Sequence, residues 1–222
     1  MKVGTDAVLL GAWCSLENHP QKILDIGTGT GLISLMLAQR SDARIIDGVE
    51  IDKLAFEQTV DNFKNSDWSD RLYCYNLTFQ KYADQINNKK ETYDLVVSNP
   101  PFYNENYITA NISRNKARFT SSLTFNELII GVSKILSKSG YFSIIIPYKE
   151  KNCFINLAKK YNLLLCRICR VQGNKIAKIK RILLTFSFLK KKINESTLII
   201  ENSRQKYTNE YINLTNRFYL KM

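Results

Sequence analysis

The chain has 222 residues, of which 45% are hydrophobic and 11% aromatic, enough for a domain of ordinary size with a substantial core. No apolar run approaches the ~20 residues of a membrane-spanning helix, and the first residues do not resemble a signal peptide, so we expect a soluble, cytoplasmic protein. The 32 basic residues against 20 acidic ones give a net charge of +12, which favours a polyanionic partner, although a generally basic proteome is an alternative explanation.

The first half of the chain alternates predicted strands and helices. Apolar runs predict strands over 22–26, 44–51, 71–75 and 93–98. Helices are predicted over 32–40 and, after the cap residue Asp52, up to about Lys64. This alternation is typical of a parallel sheet with helices on both faces.

The second half continues the pattern and then changes it. A helix is predicted over 123–136, opened near Thr124 and stopped by Ser139-Gly140, and strand 141–146 and helix 150–161 follow. Strands are predicted over 163–171 and 181–189, and residues 172–180 are too few for a crossover, so these two strands should pair antiparallel. Beyond the three lysines at 190–192, a further strand over 197–201 and a closing helix over 207–219 are expected.

These elements predict an α/β, Rossmann-like fold of the class I methyltransferase type, whose mostly parallel sheet has an antiparallel edge strand. We expect a single domain over 1–222. Within it, 103–122 is a candidate substrate loop and 190–222 is a C-terminal extension packed on the domain.

A glycine-rich turn lies between the first predicted strand and its helix. Gly27, Gly29 and Gly31 follow Asp25, and their G-x-G-x-G spacing differs from the G-x-G-x-x-G of dinucleotide enzymes. Glycines allow the backbone to approach a ligand closely. The pattern favours S-adenosylmethionine as cofactor, with Asp25 and the turn amides holding its methionine part. A purely structural tight turn is the alternative.

Further cofactor contacts are predicted after the next two strands. Glu50 lies about twenty residues beyond the glycines, where an acid accepts ribose hydroxyls, and Ile51 is placed against the adenine face. Glu50 and Asp52 also suit a helix cap; we assign the ribose to Glu50 and the cap to Asp52. Asn76 or Thr78 is expected to contact the adenine amine, unless both are turn residues.

Asn99-Pro100-Pro101-Phe102 follows the fourth predicted strand. The Asn99 side-chain oxygen and the Pro100 carbonyl are suited to accept two hydrogen bonds from a planar amine such as adenine N6, and Phe102 offers a stacking face. The prolines hold the segment rigidly, so that positioning costs little entropy. Methyl transfer to such an amine needs no metal. A Pro-Pro turn with Phe102 in the core is the alternative.

Aromatic and basic residues are interleaved after this motif. Tyr103, Arg114, Lys116 and Arg118 suit stacking and phosphate contact with an unpaired stretch of RNA. A solvated loop with incidental charge is the alternative.

Several segments together resemble the tRNA1(Val) adenine-37 N6-methyltransferase family. They are 1–13, 25–31, Glu50, 98–102, 114–118, 180–184 and 218–220. The resemblance implies methylation of A37 in the anticodon loop of a valine tRNA, with Lys2, Thr5 and Asp6 near the cofactor and no obligate protein partner. The chain departs from the family in having Phe119 where a histidine is frequent, and family members usually carry a short segment before the one at 1–13.

Two other functions are compatible with part of the pattern. The Asn-Pro-Pro motif also serves protein glutamine N5-methyltransferases, whose substrate is a side-chain amide. A catalytically silent RNA-binding module that kept the fold is the second alternative.

Overall fold

The computed structural model describes residues 4–101 and 123–220, which contain seven α-helices and ten strands. The helices are α1 Thr5–Trp13, α2 Leu32–Arg40, α3 Lys53–Lys64, α4 Phe79–Asn88, α5 Phe125–Ile135, α6 Lys151–Lys160 and α7 Asn209–Thr215. The strands are β1 Lys22–Ile26, β2 Ile45–Val49, β3 Leu72–Tyr75, β4 Tyr93–Ser98, β5 Leu136–Pro147, β6 Leu164–Gln172, β7 Arg181–Ser187, β8 Asn194–Ile199, β9 Glu201–Ser203 and β10 Lys206–Tyr207.

Eight of these strands form one sheet in the order β3-β2-β1-β4-β5-β7-β6-β8. β7 pairs antiparallel with both β5 and β6, and the other neighbouring strands pair parallel. The predicted α/β class with a mostly parallel sheet is thereby confirmed, as is the antiparallel pairing of β6 with β7. The antiparallel strand is not at the edge, however. β8 adds outside β6 in parallel register and itself forms that edge.

Helices cover both faces of the sheet. α4, α5 and α6 pack on one face through residues such as Phe79, Leu128 and Phe154. α1, α2, α3 and α7 cover the other face, where Tyr211 of α7 joins the cluster that contains Trp13. Because the central parallel strands are buried on both faces, they appear in the sequence as continuous apolar runs rather than alternating ones.

The predicted boundary between α5 and β5 is wrong. α5 begins at a capping box of Thr124 and Glu127, as expected, but it ends at Ile135, and Leu136 is already extended (φ −76°, ψ 131°). Ser139-Gly140 therefore lies inside β5 rather than ending the helix. α4 was not predicted, although its apolar residues at 79, 82, 83 and 86 recur at helical spacing.

Helices of membrane-spanning length and apolarity are absent from residues 4–101 and 123–220.

Candidate active site

The site is formed where four neighbouring strands end. The register of the pairing aligns the carboxyl ends of β3, β2, β1 and β4. Four residues consequently leave the sheet side by side, in the order Asn76, Glu50, Gly27 and Asn99. Ligands of open α/β sheets bind at this carboxyl edge.

The glycine turn has a left-handed backbone at Gly27, Gly29 and Gly31, with φ of 69°, 63° and 80°. A Cβ added at Gly31 would lie 2.5 Å from the Phe63 ring, so a larger residue there would push α3 away from the turn. The Thr59 hydroxyl, also on α3, donates to the Gly29 carbonyl at 2.6 Å. The turn is therefore held by helix packing as well as by its own backbone.

The glycine N–H groups donate within the protein. Their acceptors, in chain order, are the Val49 carbonyl (2.9 Å), the Glu50 carboxylate (2.9 Å) and the Thr28 carbonyl (3.0 Å). These three amides are thus engaged before any ligand binds, which differs from their expected role as donors to the cofactor. Gly27 itself is exposed, and the space where its Cβ would lie is open. The turn offers a ligand close approach to the backbone rather than free donors.

Asp25 is completely buried beneath this turn. Its Oδ2 accepts hydrogen bonds from the hydroxyls of Thr28 (2.7 Å) and Ser34 (2.9 Å), whereas its Oδ1 has no partner among the described residues. Burial raises the pKa of Asp25 to about 6; the two hydroxyls oppose that rise and the charge of Glu50 adds to it. A buried carboxylate oxygen without a partner fits a cationic or N–H donor, such as the amino group of a methionine moiety.

The Thr28 and Ser34 hydroxyls were not anticipated as parts of the site. Thr28 stands three residues after Asp25 inside the glycine turn, and that spacing was a usable signal. Ser34 lies in the first turn of α2, and no sequence pattern distinguishes it from a solvent-facing serine.

Glu50 is nearly buried at the end of β2, with 9% of its surface exposed. Its Oε2 accepts the Gly29 N–H and its Oε1 accepts the Asp52 N–H, both at 2.9 Å. A carboxylate oxygen has two acceptor positions, so each still has one for a ribose hydroxyl. Asp52 is the predicted cap of α3, confirmed by a 2.9 Å bond to its carboxylate from the Ala55 N–H.

The segment after Glu50 is supported from β3. The Asn76 amide donates to the carbonyls of Glu50 (2.8 Å) and Ile51 (3.2 Å). Ile51 leaves 47% of its surface exposed, which suits contact with a flat apolar group. The Thr78 hydroxyl caps α4 by accepting the Lys81 N–H at 3.3 Å. Both candidates for the adenine amine contact therefore already have structural roles.

Asn99 and Pro100 emerge directly beside the glycine turn. The Ser98 hydroxyl donates to the Ile26 carbonyl at 3.0 Å, which joins the end of β4 to the end of β1. Pro100 is buried, which anchors the segment, whereas Asn99 is partly exposed at the carboxyl edge of the sheet.

The N-terminus of α1 reaches the same edge. Thr5 is its first residue, and the Asp6 carboxylate accepts a 2.8 Å hydrogen bond from Arg181 Nε in an ion pair. Arg181 begins β7 opposite Pro147, where β5 ends. The placement brings Thr5 to the edge of the sheet that carries the glycine turn.

The remaining predicted residues lie outside the described part of the chain. They are Lys2, Phe102, Tyr103, Arg114, Lys116 and Arg118, together with the rest of the candidate loop 103–122. Within residues 4–101 and 123–220, no group of histidine, cysteine or acidic side chains is arranged to hold a metal.

Comparison with known proteins agrees with this geometry. The family model described as methyltransferase small domain matches residues 7–155. A predicted O-methyltransferase from Agrobacterium tumefaciens has the same fold, with a TM-score of 0.72 at 17% identity over 96% of each chain. The fold and the glycine turn define a class I methyltransferase that uses S-adenosylmethionine.

The sequence relatives are more specific. Proteins from Christiangramia forsetii and Flavobacterium psychrophilum are each 50% identical to all 222 residues, which cover 92% and 94% of their lengths. Both are named tRNA1(Val) (adenine(37)-N6)-methyltransferase. The chain belongs to this family.

Proposed function

We propose that the chain transfers the methyl group of S-adenosylmethionine to N6 of adenine 37 in tRNA1(Val), in the cytoplasm. The observation that carries this proposal is the position of Asn99 and Pro100 beside the glycine turn, in a chain that aligns over its whole length with relatives of that name. The proposal requires no metal and no obligate protein partner.

The cofactor is held, in this proposal, along the ends of β1 and β2. Asp25 Oδ1 accepts the methionine ammonium, the second acceptor positions of Glu50 bind the ribose hydroxyls, and Ile51 lies against the adenine. Gly27, Gly29 and Gly31 supply close backbone approach. Lys2, Thr5 and Thr78 complete the set, Thr78 in addition to its role as a helix cap.

S-adenosylmethionine supplies an electrophilic methyl group. The protein has to orient a weak nucleophile, because the lone pair of adenine N6 is delocalised into the ring. The Asn99 side-chain oxygen and the Pro100 carbonyl each accept one N6–H bond, which turns the nitrogen lone pair toward the methyl group. The N–C bond forms as the S–C bond breaks, and the N6 proton then leaves to water. Phe102 stacks on the base, and such positioning lowers the entropic part of the barrier.

Adenine 37 has to be unstacked to reach Asn99, and an anticodon loop exposes its bases at little cost. Tyr103, Arg114, Lys116 and Arg118 are the proposed contacts to this loop. Aromatic rings would stack on neighbouring bases and the basic side chains would bind phosphates.

The proposal is tested with purified protein, methyl-labelled cofactor and unmodified tRNA1(Val) transcript. Mass spectrometry of the digested RNA should find N6-methyladenosine at position 37, and a transcript with guanine at that position should stay unlabelled. A peptide release factor, offered in parallel, distinguishes the glutamine N5-methyltransferase alternative, and label on the factor alone contradicts the proposal. Calorimetry with S-adenosylmethionine tests the alternative of a catalytically silent RNA-binding module, for which no heat of cofactor binding is expected.

A further inference from the structure

We propose that a second basic surface, remote in sequence from the loop 103–122, binds tRNA phosphates beside the active site. We call it the lysine rim and define it as Lys175, Lys178 and Lys180 of the β6–β7 loop with Arg204 and Lys206 of the β9–β10 hairpin. The inference rests on the proposed function and extends it by locating a further part of the surface on which the RNA lies.

The topology brings the β6–β7 loop to the edge that carries Asn99. β7 begins at Arg181, which pairs with Pro147 at the end of β5 and with Val171 near the end of β6. β5 is the parallel neighbour of β4, whose end precedes Asn99. Three strand spacings separate β4 from β6 across the sheet, or about 14 Å at the usual spacing of neighbouring strands. An anticodon stem-loop held at Asn99 by one base is wide enough to reach this loop.

The hairpin continues the same surface. The Glu201 N–H donates to the Gly173 carbonyl at 2.9 Å, which joins the start of β9 to the β6–β7 loop. Arg204 and Lys206 lie at and beside the tip of this hairpin, and both are exposed. Five basic side chains are thereby gathered at one end of the sheet from two segments.

The three lysines of the loop, Lys175, Lys178 and Lys180, form no ion pair with the part of the chain that the structure describes. Residues 173–180 include no acidic residue. All three are exposed. Like charges held close together favour a polyanion, since each phosphate they bind releases counterions.

The loop is also ordered before binding. The Asn174 side-chain oxygen accepts the N–H groups of Ile176 (3.2 Å) and Ala177 (2.9 Å). The Gln172 amide donates to the Ala177 carbonyl at 2.6 Å and to the Lys175 carbonyl at 3.2 Å. A loop fixed by its own side chains presents its lysines with little further entropy loss, which favours their use in recognition.

The test compares two double variants that each lose two positive charges. Lys175→Gln/Lys178→Gln alters the rim. Lys89→Gln/Lys138→Gln is the matched control. Both lysines are exposed near the amino ends of the strands, where β4 and β5 begin, and therefore lie opposite the carboxyl edge that carries Asn99. Binding of an anticodon stem-loop RNA is measured by fluorescence anisotropy from ~50 to ~200 mM salt, and methylation is measured in the same preparations.

The rim variant should bind the RNA roughly 10- to 30-fold more weakly near 0.15 M salt, and the slope of log K against log salt should become shallower by about 1.5 to 2. Its KM for RNA should rise with kcat unchanged, and the control pair should resemble the wild type. Normal RNA affinity in the rim variant, or equal losses in both pairs, would overturn the inference. A different outcome would overturn the proposed function alone: the wild-type protein binds the RNA through the rim but does not methylate adenine 37.

Discussion

The Gly29 N–H donates a 2.9 Å hydrogen bond to the Glu50 carboxylate, so the end of β2 holds the turn that follows β1. The other oxygen of this carboxylate accepts the N–H of Asp52. One side chain thereby orders two segments that meet at the proposed cofactor site. Glu50 is consequently both a proposed ligand for the ribose and a support for the backbone around it.

Glu50→Gln should weaken S-adenosylmethionine binding by roughly 10- to 100-fold, because the amide keeps one acceptor oxygen and turns an NH₂ toward a backbone N–H. Isothermal titration calorimetry measures the effect. Asp52→Asn is the control: it removes the same charge two residues away, and asparagine caps a helix about as well as aspartate, so affinity should stay within about twofold. Equal losses in both variants would contradict the assignment of the ribose to Glu50.

Asp25→Asn should make the cofactor-free protein more stable and its cofactor binding weaker. The pKa of Asp25 is raised by burial from 3.8 to about 6. Between pH 3.8 and about 6, Asp25 is therefore protonated in the folded state but already ionised in the unfolded state. The free energy of unfolding consequently falls as pH rises through this interval. At neutral pH the buried charge costs up to about 3 kcal/mol, which the variant largely recovers.

Urea unfolding without cofactor and calorimetry with it measure the two effects of Asp25→Asn. The wild-type affinity for S-adenosylmethionine should also fall as pH drops below about 6, where Asp25 is protonated. Asp47→Asn, a change to another buried acid one strand away, should leave cofactor affinity unchanged. Normal binding by the Asp25 variant would contradict its proposed contact with the ammonium.

Short-range patterns predicted the part of the fold that carries the proposed cofactor site. β1, α2 and β4 begin and end at the predicted residues, because a glycine turn and continuous apolar runs mark their ends. α4 was not predicted because Asn76 and Thr78, just before its start, were interpreted as cofactor ligands or turn residues. The threonine was in fact its cap.

Hydrogen bonds between residues far apart in the chain could not be predicted from a single sequence. The use of the glycine amides by Val49 and Glu50 depends on the register between β1 and β2, which the residue types do not reveal. The interior position of β7 depends in the same way on its long-range pairing with both β5 and β6. The edge beside β6 is taken by β8, a largely exposed strand whose polar residues give little apolar signal.

Asn99→Ala should reduce methylation of adenine 37 by orders of magnitude and leave S-adenosylmethionine affinity within about twofold, since the lost contact is made to the reacting amine. Single-turnover kinetics with saturating RNA measure the first quantity and calorimetry the second. Asn87→Ala makes the same chemical change on the exposed end of α4 and should keep full turnover. An active Asn99 variant would rule out the proposed role of its amide.

Tyr93→Phe should destabilise the fold through a buried acid that has no proposed part in catalysis. The Tyr93 hydroxyl donates to the Asp47 carboxylate, and the Tyr82 hydroxyl, with its single proton, lies 3.1 Å from the same carboxylate oxygen and 2.5 Å from the Tyr93 oxygen. Burial raises the pKa of Asp47, and the two hydroxyls oppose that rise. Removing one of them should cost about 1–3 kcal/mol in the free energy of unfolding at neutral pH.

The pH dependence separates this cause from a simple loss of packing. Without the Tyr93 hydroxyl the pKa of Asp47 rises further, so the folded state keeps its proton to a higher pH and loses more stability once Asp47 ionises. The destabilisation measured by urea unfolding should therefore shrink as pH falls. Tyr73→Phe is the matched control, because that ring is 45% exposed and its hydroxyl donates to the Asp70 carbonyl in an exposed hydrogen bond; its effect should stay within about 0.5 kcal/mol. A pH-independent loss at Tyr93 would mean that packing, not the charge of Asp47, sets the cost.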